Sequence, residues 1–98
     1  MIQIRETTVF RRWLDNLRDD NAWRRITVRL RRLAEGNPGD TKSIGGGLSE
    51  LRIDYGPGYR IYFTRRGNEL ILLLAGGDKR TQWKDIEIAR ALARSMTE

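Results

Sequence analysis

Between Leu48 and Ala75 the chain alternates β-prone segments with glycine-bearing turns, and this pattern limits the fold more than any other feature. Three strands are predicted, Leu48–Tyr55, Tyr59–Arg65 and Glu69–Ala75, joined by Gly56-Pro57-Gly58 and Arg66-Gly67-Asn68. Connections this tight favour antiparallel hairpins. The last strand, ELILLLA, is apolar on both faces and belongs in the interior of a sheet.

The flanking segments read as one short strand and three helices. Ile2 and Ile4 alternate with polar residues as in a first strand. Thr7 or Thr8 caps a helix carrying Phe10, Trp13, Leu14 and Leu17 at helical spacing. Asp19-Asp20-Asn21 ends it and caps a second helix, with Trp23, Ile26, Thr27, Leu30, Leu33 and Ala34 as its apolar stripe. Gly36 and Asn37-Pro38-Gly39-Asp40 close that helix in a turn. Ile44-Gly-Gly-Gly-Leu48 reads as a bend or mobile loop leading into the sheet. A last helix starts near Thr81 or Gln82 and buries Trp83, Ile86, Ala89, Ala93 and Met96. The expected order is β-α-α-β-β-β-α, a compact α+β domain over residues 1–98.

Side chains alternate across a strand. Leu48, Glu50, Arg52 and Asp54 share one face, and Ser49, Leu51, Ile53 and Tyr55 share the other, which meets the helices. On the next strand Tyr59, Ile61 and Phe63 face the core and Arg60, Tyr62 and Thr64 the open side. Glu50, Arg52, Arg60 and Tyr62 are thereby expected on one exposed sheet face. Gly76-Gly77 is expected to release the chain from the last strand, placing Asp78, Lys79 and Arg80 beside that face, with Thr81 and Gln82 opening the helix. Two readings stay open: a solvated face of weak ion pairs, or a site that grips an anion.

Charge favours the second. The 98 residues carry 19 Lys and Arg against 13 Asp and Glu, a net +6, and sixteen of the bases are arginine. Arginine forks onto phosphate and keeps its charge at any ordinary pH, so a polyanionic partner, most simply nucleic acid, is indicated. Eight arginines fall between Arg11 and Arg32, where they form either a phosphate grip or a wetted helix face. There is no histidine and no cysteine, which removes the usual acid–base group, disulfides and thiolate metal sites. The carboxylates are scattered, so no metal or other cofactor is expected. The glycines before Asp78 lack the Gly-Lys-Ser/Thr ending of a phosphate loop. The charged first residues contain no secretory apolar region, and Leu70–Ala75 is too short to span a bilayer. A cytoplasmic protein without membrane contact is expected.

The segments LSELRIDYGPGYRIYF and LILLLAGGDKRTQWKDIEIA resemble the RelE/ParE toxin superfamily, most of all its HigB-like group of phage-derived addiction-module killer proteins. The resemblance runs along essentially the whole chain. It implies a barnase-like α+β toxin fold and the role of toxin in a type II toxin–antitoxin system. A cognate antitoxin is implied as partner, a HigA-like helix-turn-helix protein through which alone operator DNA would be reached. RelE and HigB relatives cleave mRNA on the ribosome and so inhibit translation, whereas ParE relatives poison DNA gyrase. A toxin kept only as an antitoxin-binding corepressor is a further alternative.

In the nucleases of the superfamily the ribose 2′-hydroxyl attacks the adjacent phosphate. That chemistry needs a proton acceptor, cations for the phosphorane and a proton for the leaving oxygen. On matching positions the resemblance makes Arg60 the phosphate clamp and Arg52 a second cation. Lys79 and Arg80 stabilise charge or supply the proton. Glu50 or Asp78 accepts the 2′-proton or orients the arginines. Tyr62 stacks on a base, orients the sugar, or belongs to the core edge, and Gln82 is an orienting residue. The chain departs from its relatives in having Arg52 and Asp54 where RelE-type enzymes have lysines, and in lacking the histidines of several HigB-type enzymes. Positioning by the ribosome would lower the demand for a strong base.

Overall fold

The computed structural model describes residues 1–96. Its elements are β1 (Gln3–Glu6), α1 (Thr8–Asp15), α2 (Asp20–Ala34), β2 (Thr41–Gly45), β3 (Leu48–Ile53), β4 (Tyr59–Arg66), β5 (Leu70–Asp78), a 3₁₀ turn (Lys79–Thr81) and α3 (Gln82–Ser95). The five strands form one sheet in the order β1-β5-β4-β3-β2, with β1 parallel to β5 and every other pair antiparallel. This is the expected α+β class, consistent with a barnase-like toxin fold. Among the described residues no helix is long and apolar enough to cross a membrane.

The two helix starts follow from local chemistry. Thr7 precedes α1 in an extended conformation, and its hydroxyl accepts from the Phe10 N–H at 3.0 Å. The same hydroxyl donates to the Leu74 carbonyl at 2.6 Å, tying α1 to β5, an interior strand. Asp19 caps α2 by accepting from the N–H groups of Asn21 and Ala22.

The sheet is covered on both faces. Phe10, Leu14, Ile26 and Leu33 of α1 and α2 pack on Leu51, Ile53, Ile61, Phe63, Ile71 and Leu73. Each such side chain contributes roughly 1.5–3 kcal/mol by leaving water. On the opposite face α3 lays Ala89, with Ile86, Leu92 and Ala93, over Leu48, Tyr62, Leu72, Leu74 and Ala75.

Four expectations are corrected here. First, Gly46-Gly47 before Leu48 is the bend that joins β3 to an unexpected edge strand: Thr41–Gly45 pairs with β3, so the sheet gains a fifth strand. Arg90 of α3 reinforces it by donating to the carbonyls of Ile44 and Gly45. Second, the face of β3 and β4 holding Glu50 and Tyr62 is not open but lies under α3, with Glu50 4% and Tyr62 0% exposed. Third, Gly76 and Gly77 do not end the last strand; β5 continues through them to Asp78. A Cβ on Gly76 would run into the Trp13 indole, and one on Gly77 into the Asp85 carboxylate. Glycine is required because α1 and α3 press on the strand from opposite sides. Fourth, Trp23, Trp83 and Met96 are exposed rather than buried, Trp83 by 70%.

Candidate functional site

The candidate cations converge at the end of the sheet where β3 and β5 finish and β4 begins. Register sets the arrangement: Arg52 lies opposite Arg60, Arg60 opposite Gly77, and Tyr59 opposite Asp78. The chain then turns, and the Lys79 N–H donates to the Gly58 carbonyl at 3.1 Å. That bond brings Lys79 beside the β3–β4 turn. Gly58 has φ of +82°, and a Cβ there would stand 2.8 Å from Lys79 Cε. Only glycine satisfies both the left-handed backbone and the lysine stem lying across it.

Arg52, Arg60 and Lys79 line one shallow cleft of about 290 Å³, together with Asp40, Asp54, Ile53 and Gly58. Asp40 accepts from Arg52 Nε at 3.1 Å and Nη2 at 2.7 Å, which aims the guanidinium and raises its pKa further. Arg29 of α2 supports the pair from behind. Its guanidinium donates to the carbonyls of Arg52, Pro38 and Asp40, fixing the turn that carries Asp40 against β3. Burial pushes the Arg29 pKa down from its ordinary value.

Arg60 is aimed by a different carboxylate. Its Nη1 stands 3.4 Å from Glu50 Oε1, with the side chains 13% and 5% exposed. The other oxygen, Oε2, accepts from Gln82 Nε2 at 3.5 Å. Glu50 therefore points at Arg60 and Gln82, and it is buried behind the cleft rather than lining it. Asp78 is engaged likewise. It accepts from the Arg80 backbone N–H at 2.8 Å and from Nη2 at 2.9 Å, and these bonds hold its pKa below the usual carboxylate range. Arg80 faces solvent with its side chain 80% exposed and does not line the cleft. Tyr62 is sealed beneath α3, leaving no ring face for a base.

Two features of the cleft, the unpaired state of Lys79 and the presence of Asp54, come from the structure. Lys79 is exposed, and its side chain makes no ion pair among the described residues. Asp54, also exposed, is a lining carboxylate without a partner among the described residues. Its place on the Arg52 face was visible from strand alternation, but its nearness to Lys79 depends on how β5 ends. The cleft thus offers two oriented guanidiniums, one unpaired ammonium group and one unpaired carboxylate. Such a set can hold a phosphodiester and move a proton to or from it. Among the described residues no cluster of acidic side chains has the makings of a metal site.

Helix α3 opens at Gln82, as expected. Thr81 makes no capping bond to backbone; its hydroxyl donates to Asp85 Oδ2 at 2.6 Å. Burial raises the Asp85 pKa.

Comparison with known proteins gives two matches. A family model described as phage-derived protein Gp49-like (DUF891) matches residues 12–95. A relative from Haemophilus influenzae, described as an uncharacterized protein, is 47% identical over 95 residues, 97% of this chain and 96% of the relative.

Proposed function

The chain belongs to the phage-derived Gp49-like family, and from that premise we propose that it is the toxin of a type II toxin–antitoxin system, acting as a metal-independent mRNA endonuclease of the RelE/HigB kind. The observation that carries the reading is the convergence of Arg52, Arg60 and unpaired Lys79 on an open cleft beside a free carboxylate. The phosphate of a bound RNA sits among the three cations. The ribose 2′-oxygen attacks phosphorus, the bond to the 5′-oxygen breaks, and a cyclic phosphate and a 5′-hydroxyl result.

Each residue has a part in that sequence. Arg60, oriented by Glu50, forks onto the non-bridging oxygens and stabilises the charge that builds on them. Arg52, oriented by Asp40, adds a second cation along the backbone. Asp54 takes the 2′-proton and Lys79 gives one to the departing oxygen. The ribosome supplies the in-line geometry, which offsets the modest basicity of a carboxylate. A cognate antitoxin with acidic surface, encoded nearby, neutralises the toxin in the cytoplasm, and the net charge of +6 suits such a partner.

Lys79→Ala and Arg60→Lys test the site. The first removes an exposed side chain; the second keeps a cation near Glu50 but loses the fork. Both are expected to relieve growth arrest on induced expression while giving wild-type circular dichroism. Undiminished toxicity in both variants would remove the cleft from the mechanism.

A further inference from the structure

Of the α2 arginines, Arg29 supports the cleft and also lines a second groove beside it. Arg24, Arg25 and Arg32 line the same groove, of about 320 Å³, with Val28 and, from β3 and its end, Ile53 and Asp54. Arg25 is held over the Tyr55 ring, 4.5 Å from its centroid. Arg24 and Arg32 are exposed, and their side chains make no hydrogen bond or ion pair among the described residues. Arg24, Val28 and Arg32 follow one another at four-residue intervals, so the two free arginines flank an apolar step along one edge of the helix. Eight residues of helix rise roughly 12 Å, the reach of about three stacked nucleotides at roughly 3.4 Å each.

The two grooves adjoin. Ile53 and Asp54 form part of the lining of both. Asp54 stands between the two groups of cations and offsets part of their mutual repulsion. A surface with cations at both ends and an apolar floor between them matches a strand with regular phosphates and flat bases.

We infer that the α2 groove continues the RNA path: a single strand held at Arg52, Arg60 and Lys79 passes over Ile53 and lays flanking phosphates on Arg24 and Arg32, with a base or ribose against Val28. The inference rests on the reading of the cleft as an RNA-phosphate site and extends it from one phosphate to a multi-nucleotide footprint.

Fluorescence anisotropy with labelled 2′-deoxy oligonucleotides, which carry no attacking hydroxyl, tests this. Wild-type protein is expected to bind a hexanucleotide more tightly than a dinucleotide. The Arg24→Ala/Arg32→Ala double variant should bring the hexanucleotide to the dinucleotide's affinity. It should also reduce the slope of log K against log salt by about 1.4, at roughly 0.7 for each phosphate lost. Dinucleotide binding should not change. If the double variant keeps hexanucleotide affinity and slope while Lys79→Ala loses both, the groove is not on the path although the cleft reading stands. If Lys79→Ala also has no effect, or wild type binds neither oligonucleotide, the cleft reading falls with it. A double variant that loses only the binding of a labelled glutamate-rich peptide would assign the groove to an acidic protein segment and overturn the inference.

Discussion

Glu50 and Arg60 form an almost completely enclosed ion pair, 3.4 Å apart, at the boundary between the α3-covered core and the open cleft. The pair links stability to the candidate chemistry, because the guanidinium that faces the cleft is held by a carboxylate that never reaches it. Removing one partner of a buried pair strands the other charge. Glu50→Ala is expected to cost about 3–5 kcal/mol in urea unfolding and to abolish growth arrest. Glu50→Gln, which keeps an acceptor for Arg60, should recover most of that stability. A loss near zero for Glu50→Ala would mean that the two side chains are not coupled.

Gly76 and Gly77 give a prediction about the strand itself. Alanine at either position forces a neighbour to move, Trp13 for Gly76 and Asp85 for Gly77. Overpacking of this kind costs about 1–3 kcal/mol. Thermal unfolding of Gly76→Ala and Gly77→Ala should show lowered midpoints. Unchanged midpoints would mean that the helices do not press on β5 as described.

Tyr62 provides a contrast, since its hydroxyl is buried without a hydrogen-bond partner among the described residues. Burial, and then the Glu50 carboxylate, push its pKa well above the ordinary tyrosine value. Tyr62→Phe deletes the stranded hydroxyl and keeps the ring. Stability should rise by about 1 kcal/mol, measured by urea unfolding, and toxicity should persist. Loss of toxicity in a stable variant would restore a direct role for the hydroxyl.

Two aspartates are expected to respond to pH with opposite signs. Asp19 has its pKa lowered, first by the bond from the Ala22 N–H, so its contribution is present above the ordinary value of 3.8 and lost as pH falls through the folded value. Asp85 has its pKa raised, first by burial, so its contribution is complete below 3.8 and lost as pH rises through the folded value. Asp19→Ala should therefore lower the unfolding midpoint at neutral pH, with the gap closing in acid. Asp85→Asn should raise it at neutral pH, also converging in acid. Midpoints recorded from pH 3 to 7 check both signs; parallel curves for either variant would contradict the assignment.

Legibility followed the range of the interactions. The caps at Thr7 and Asp19 depend on residues two or three positions away, and both were readable in the sequence. The interior place of β5 was readable because its apolar residues occupy both faces. That double-sided pattern also called for cover on the second face, which α3 supplies to Glu50 and Tyr62. Strand β2 escaped because Thr41–Gly45 is polar and runs into glycines, and only pairing with β3 makes it a strand. Gly76 and Gly77 read as an exit because the partners that exclude a Cβ, Trp13 and Asp85, lie far away or beyond the turn. Trp23 and Trp83 fitted helical periodicity but fall at the margins of the buried faces. At the site, alternation and register brought Arg52, Arg60 and Lys79 together. Asp40 joined them through the Arg29 contacts, which no local pattern encodes.

The most direct test of the central claim maps transcript 5′ ends after brief induction of the wild-type protein and of Lys79→Ala. The account predicts new ends inside reading frames, phased with the codons, in wild type and their absence in the folded variant. Growth arrest with intact transcripts, above all with gyrase-linked DNA damage, would contradict it and favour a ParE-type binding toxin. Intact transcripts with no growth defect would instead leave the chain as an antitoxin-binding corepressor.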